Sequence, residues 1–240
     1  MRFIITLIVL TSITLSPSYG QFGKLIKKVE DAVGVGAGAG NLNIGAGLKE
    51  ALEVGVNDAV TSLSAADGYF ESPFKILIPQ EARAVTSKVS KVPGFKNIET
   101  DLIKKMNEAA ELAAKKAGPI FIDAITAMSF DDATKILTGE QDAATRFLET
   151  GSRDELYSEF MPVIQNALDE VDARSLWNSA VGAYNKIPFV SKLNPELDDH
   201  VNQKALDGMF SLIQQKEEGI RSDVNLRTSP LLRDVFAQQD

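Results

Sequence analysis

Residues 107–148, NEAAELAAKKAGPIFIDAITAMSFDDATKILTGEQDAATRFL, decide the fold. Met106, Ala109, Ala110, Ala113 and Ala117 recur at steps of three and four, which puts them on one face of a helix. Side chains this small make a shallow face, so neighbouring helices are expected to pack closely on it. Gly118-Pro119 punctuates the stretch, because glycine tolerates the dihedrals of a helix end and proline fits best in a first turn. One helix is therefore expected to stop there and another to begin. Phe121, Ile122, Ile125 and Met128 continue as an apolar segment. Ser129 and Asp132 then have the spacing of a capping box, predicting a short helix over 131–137 that Gly139 closes.

Upstream, Leu48, Leu52, Val56, Val60 and Leu63 predict an amphipathic helix over 47–63. The helical period breaks across 64–79, where Asp67-Gly68 and Ser72-Pro73 are turn residues. Lys75-Ile76-Leu77-Ile78 reads as a short extended piece, but a lone strand builds no sheet. A structured loop laying Tyr69, Phe70 and Phe74 on the core is the expectation. Pro79 should open a helix to about Val92, ended by Pro93-Gly94. Downstream, Gly151-Ser152 reads as a further break, with Ser152 and Glu155 as a second capping box for a helix through Leu168. Leu176, Trp177, Val181 and Tyr184 mark a short helix. A Pro-containing loop over 187–195 leads to what should be the longest helix, from Glu196 to about Ser222. Ser229-Pro230 caps a terminal helix ending in Phe236. The expected fold is all-α, a single irregular multi-helix bundle of about eight to ten helices over 47–240.

The first twenty residues carry Arg2, an apolar run over 3–15, Pro17 and small residues at Ser18 and Gly20. This is the pattern of a secretory signal peptide cleaved before Gln21. The competing reading, a retained anchor, needs roughly 20 apolar residues, more than the run supplies. Export to the periplasm, or secretion, is the expectation. The chain has no cysteine, which leaves neither disulfides nor thiolate chemistry. The net charge is −8, and without Arg2 there are 24 basic against 33 acidic residues, or −9. A general nucleic-acid binder normally has a basic footprint, so no nucleic-acid partner is expected.

Within 21–46, Phe22, Leu25, Ile26, Val29 and Val33 share one helical face, with Lys24, Lys27 and Lys28 elsewhere. That face either docks on the domain or makes a peripheral contact with an anionic membrane surface or a partner through 22–33. Residues 34–40 are rich in glycine and read as a linker. Gly36 and Gly38 lack the third glycine of a dinucleotide fingerprint, and no strand precedes them.

Chemistry is sparse. His200 stands alone in Leu-Asp-Asp-His, without the second histidine that a zinc site or metalloprotease motif requires. Ser72-Pro73-Phe74-Lys75 matches Ser-x-x-Lys, but its companion elements are missing. Glu108 with Glu111, Asp131 with Asp132, and Glu217 with Glu218 suit acid-base work or a hard cation. They equally suit helix starts and i, i+4 pairs such as Glu217 with Arg221. The spacing points to no catalytic residue, no metal site and no cofactor.

Five ordered strings carry a family resemblance: Ala66-Asp67-Gly68-Tyr69-Phe70, Met106-Asn107-Glu108-Ala109-Ala110-Glu111, Asp142-Ala143-Ala144-Thr145-Arg146, Lys204-Ala205-Leu206-Asp207-Gly208-Met209-Phe210, and Glu217-Glu218-Gly219-Ile220-Arg221 with Arg227-Thr228-Ser229-Pro230-Leu231-Leu232. Over roughly 47–236 the chain resembles the exported bacterial family known as domain of unknown function 4197. The resemblance implies a helical exported domain and assigns no active site. Within the strings, Arg146, Arg221 and Arg227, with Asn107 and Glu111, are the candidate ligand-binding residues, since arginine forks bind carboxylates and phosphates bidentately. Buried ion pairs tying helices together are the competing account. The reading is an exported binding or interaction module for a small apolar ligand, an anionic ligand or a protein partner. Its alternatives are a carboxylate-based, divalent-cation-dependent hydrolase and an envelope-associated protein using its N-terminal helix.

Overall fold

The structure, a computed structural model, describes residues 39–192 and 196–237. Nine α-helices make up the described residues: α1 (Ala39–Leu63), α2 (Gln80–Val89), α3 (Ile98–Ala114), α4 (Ala117–Ala127), α5 (Phe130–Leu137), α6 (Ala143–Glu170), α7 (Ala173–Asn185), α8 (Leu197–Ser222) and α9 (Pro230–Phe236). A 3-10 turn, Val224–Leu226, precedes α9. Among these residues there is no strand, and the fold is the expected all-α bundle. The longest helices, α6 and α8, pack along each other, and α3 and α4 pack on α6.

The alanine face does what its size dictates. Met106, Ala109, Ala110 and Ala113 of α3 are fully buried, and Ala117 continues the burial into α4. Phe121 fills the space on the next face and meets the Phe210 ring edge-on at 5.5 Å between centroids. The chain breaks at Lys115-Lys116, one turn before the expected point, so Gly118 and Pro119 lie inside the first turn of α4. There the missing proline N–H costs no hydrogen bond. The first capping box is present: Ser129 Oγ accepts from Asp132 N–H at 3.2 Å while the Asp132 carboxylate accepts from Ser129 N–H at 3.1 Å.

Three expectations are corrected. First, Gly151 and Ser152 do not break a helix: α6 runs through them without interruption. Ser152 is buried there, and its Oγ donates to the Leu148 carbonyl at 2.6 Å, a back-bond of the helix interior. This makes α6, at 28 residues, longer than α8 at 26. Second, α1 begins at Ala39, eight positions before the expected start. Third, the loop before α2 buries Tyr69 and packs Phe74 on the core, but Phe70 stays half-exposed with the Lys75 ammonium 3.7 Å above its ring.

Candidate functional site

Two of the family-like strings meet a third through buried side chains. Glu111 projects from α3 and accepts N–H bonds from Asp67 at 3.2 Å, Tyr69 at 3.2 Å and Phe70 at 3.5 Å. Asp67 adopts a left-handed conformation, φ 60°, that turns these N–H groups toward one carboxylate. Gly68 follows because a Cβ there would stand 2.3 Å from the Ser62 carbonyl oxygen. Burial pushes the Glu111 carboxyl above its ordinary value, outweighing the three N–H donors that pull it down. One turn away, Asn107 treats the extended segment as a strand would: its Oδ1 accepts from Ile76 N–H and its Nδ2 donates to the Ile76 carbonyl, each at 2.9 Å. From the other side, the Tyr69 hydroxyl donates to the Ala205 carbonyl on α8 at 2.7 Å. Asn107 and Glu111 thus hold the 64–79 loop on the bundle.

The arginines divide. Arg221 is buried on α8; its guanidinium bonds the Glu217 carboxylate at 2.8 and 3.0 Å and the carbonyls of Ile136 and Leu137 at the end of α5. Glu217 also accepts from the N–H groups of Ala144 and Thr145 and from the Thr145 hydroxyl, at 2.8–2.9 Å. These are donors of the first turn of α6, where a carboxylate complements the helix dipole. Arg227 is buried as well, donating to the carbonyls of Ile220 and Arg221 at 3.0 Å. Both guanidinium groups lie within 6 Å of the Phe236 ring. Arg146 lies apart, its side chain 55% exposed and paired with Asp142 at 2.7 Å. Arg221 and Arg227 therefore converge in the interior rather than on an open pocket.

Next to that cluster, Leu48, Leu52, Ile213, Ile220 and Phe236 line an apolar crevice of about 10 Å³. It has room for at most one water. A roomier depression lies elsewhere, a groove of about 610 Å³ between α3 and α7. Asp101, Lys104, Lys105 and Glu108 on α3 face Ser175, Leu176 and Ser179 on α7 and Asp172 at the turn before it. The α3 set falls at steps of three, one and three, and Ser175, Leu176 and Ser179 at steps of one and three, each a stripe along its helix. Phe95 and Leu176 supply its apolar surface. The Lys105 ammonium donates to the Val171 carbonyl, tying α3 to the turn before α7. Lys104 stands 3.9 Å from Glu108, a loose surface pair. No motif announces these residues; only two helices brought side by side make them a site.

His200 hydrogen-bonds the Leu77 carbonyl through Nε2 at 2.8 Å. Among the described residues no group of three His, Asp or Glu is placed to hold a metal ion. Both buried carboxylates, Glu111 and Glu217, have their oxygens taken by N–H groups or an arginine. None of the described helices is long and apolar enough to cross a membrane. Phe22, Leu25, Ile26 and Val29 lie outside the described residues.

No curated protein and no solved structure matches the chain. One family's sequence pattern, described as "Protein of unknown function (DUF4197)", matches residues 38–237. That span takes in all five strings and both buried carboxylate clusters, and the chain belongs to the DUF4197 family.

Proposed function

We propose that the protein is an exported interaction module that holds a peptide segment of a protein partner in the groove between α3 and α7. The observation that carries this reading is the pair of facing stripes: charges of both signs on α3, hydroxyls on α7, and Phe95 and Leu176 between them. Such a lining suits a chain bearing charges of both signs over apolar side chains. A small apolar ligand is poorly served, because the groove is lined mostly by charged and hydroxyl residues and the apolar crevice beside Phe236 is too small for one. The groove suits a simple anion poorly too, because Asp101, Glu108 and Asp172 outnumber Lys104 and Lys105. Export rests on the Arg2 and apolar-run pattern of the first twenty residues.

A photo-crosslinking residue in place of Ser179, compared with one in place of exposed Ser158 on α6, tests the reading in the producing cell. A discrete protein adduct from position 179 alone, lost when Lys104 and Glu108 exchange charges, is the expected result. A small molecule retained on the intact chain in native mass spectrometry, with no adduct at 179, replaces this reading with ligand binding.

A further inference from the structure

Phe189 is fully exposed, at 107% of its reference surface, and its backbone sits in the left-handed region at φ 66°. A bulky aromatic residue is seldom found there. The turn is nevertheless tethered, because Ile187 N–H bonds the Tyr184 carbonyl at the end of α7 and both Ile187 and Val190 pack on the core. Phe189 is the large apolar side chain that this anchored loop turns outward.

The loop has a neighbour. Lys88, in the last turn of α2, lies with its ammonium 5.4 Å from the ring centre of Tyr184, in the last turn of α7. The two helices end side by side, so the turns that follow them open at the same edge of the bundle. The turn after α2 exposes Val92, 38% accessible, beside Pro93 and Gly94. Residues 87–97 and 184–192 together contain Lys88, Lys91, Lys96, Lys186 and Lys192, all exposed, and no Asp or Glu. In a chain with net charge −8 this is a marked segregation. The nearest carboxylates in sequence are Glu99, which accepts from the Thr86 hydroxyl at 3.2 Å, and Glu196.

We propose that this edge, with Phe189 and Val92 projecting among five lysines, docks the protein on an anionic membrane surface. The chemistry is complementary on both counts. Ammonium groups within a Debye length of anionic headgroups are attracted to them, and an aromatic ring is accommodated at headgroup depth. The surface lies on the folded domain and uses no residue of the 22–33 segment; Phe95, between Val92 and Lys96, lines the α3/α7 groove, but the five lysines, Val92 and Phe189 do not.

Sedimentation of the full chain with vesicles of phosphatidylcholine containing about one third phosphatidylglycerol, against pure phosphatidylcholine, tests this. Each lysine near the surface contributes about fivefold in partitioning. The triple variant Lys91→Gln/Lys96→Gln/Lys186→Gln should therefore lose about a hundredfold in affinity for the anionic vesicles. The same charge change at exposed Lys115, Lys116 and Lys135 should leave most of it. Phe189→Ser should weaken binding at every salt concentration. All these positions are exposed, so unchanged circular dichroism and melting will verify folding. Failure of the chain to bind anionic vesicles overturns the proposal. Equal losses from the two triple variants, or loss through Leu25→Ser/Ile26→Ser while the lysine and Phe189 variants bind normally, overturn it as well.

Discussion

The Tyr69 hydroxyl and the Ala205 carbonyl, 136 positions apart in sequence, are joined by a 2.7 Å hydrogen bond inside the bundle. Gly208, the next turn of α8, makes the approach possible, since a Cβ there would lie 3.0 Å from Tyr69 Cε1 and 3.0 Å from Phe74 Cβ. Tyr69→Phe leaves the Ala205 carbonyl one partner short and should cost about 1 kcal/mol in urea unfolding. Gly208→Ala crowds the Tyr69 ring and the Phe74 Cβ, both of which must give way, and should cost about 1–3 kcal/mol. The double variant should fall short of the sum, because both changes act on the same ring.

Arg221 and Arg146 both lie in family-like strings, yet their replacement should differ by an order of magnitude in effect. Arg221→Met strands a buried Glu217 carboxylate and should cost about 3–5 kcal/mol. Arg146→Ala removes an exposed pair with Asp142 and should cost about 0.5 kcal/mol or less. Thermal melts of the two variants, run side by side, check this.

Glu111 should leave a signature in the pH dependence of stability. Its folded-state carboxyl is raised above the ordinary 4.5, so the folded chain holds this proton more tightly than the unfolded one. Between 4.5 and the raised value, stability falls as pH rises. Glu111→Gln should lack that downward slope, so the difference between parent and variant should fall as pH rises, measured by urea unfolding from pH 4 to 7. A difference curve flat across that window would contradict the assignment.

Asp207 works in the opposite sense. Burial raises its carboxyl, but hydrogen bonds from Arg153 and Lys204 win and hold it below its ordinary 3.8. The stability it contributes is present above pH 3.8 and is lost as pH falls through the lower folded value. Asp207→Asn should leave the acid limb of the stability curve shallower.

Gly151→Ala should stabilise the protein by about 0.5–1 kcal/mol, because α6 is continuous there and a Cβ would meet nothing within 4 Å. A loss of stability would mean that the helix is broken at this point.

Residues whose signal is local are legible in the sequence alone. Ser129 with Asp132 caps α5, Ser229 caps α9 by accepting from Leu232 N–H, and the alanine face of α3 is buried as its spacing predicts. Ser152 with Glu155 has the same cap spacing and misleads, because the hydroxyl bonds Leu148 four residues back and the exposed Gly151 is tolerated in a helix held by its neighbours. A cap pattern says which N–H groups a side chain can reach, not whether the preceding turn is absent. The i, i+4 pair of Glu217 with Arg221 is legible from spacing and is present, but the Ile136 and Leu137 carbonyls that Arg221 also bonds, 85 and 84 positions away, and the Ala144 N–H that Glu217 accepts, 73 positions away, lie beyond any spacing argument. The groove is less legible still, since Lys104 and Ser179 are ordinary surface residues until α3 and α7 lie together.

The close seat of Val235 on Gly47, where an added Cβ would stand 2.4 Å from the valine methyl, joins the first described helix to the last. A chain emerging from the ribosome makes Gly47 almost 190 positions before its counterpart exists. Until Phe236 follows, the apolar side of α1 has no lid and Arg221 and Arg227 have no ring to lie against. The contact that closes this side of the bundle can therefore form only once the last helix has been made.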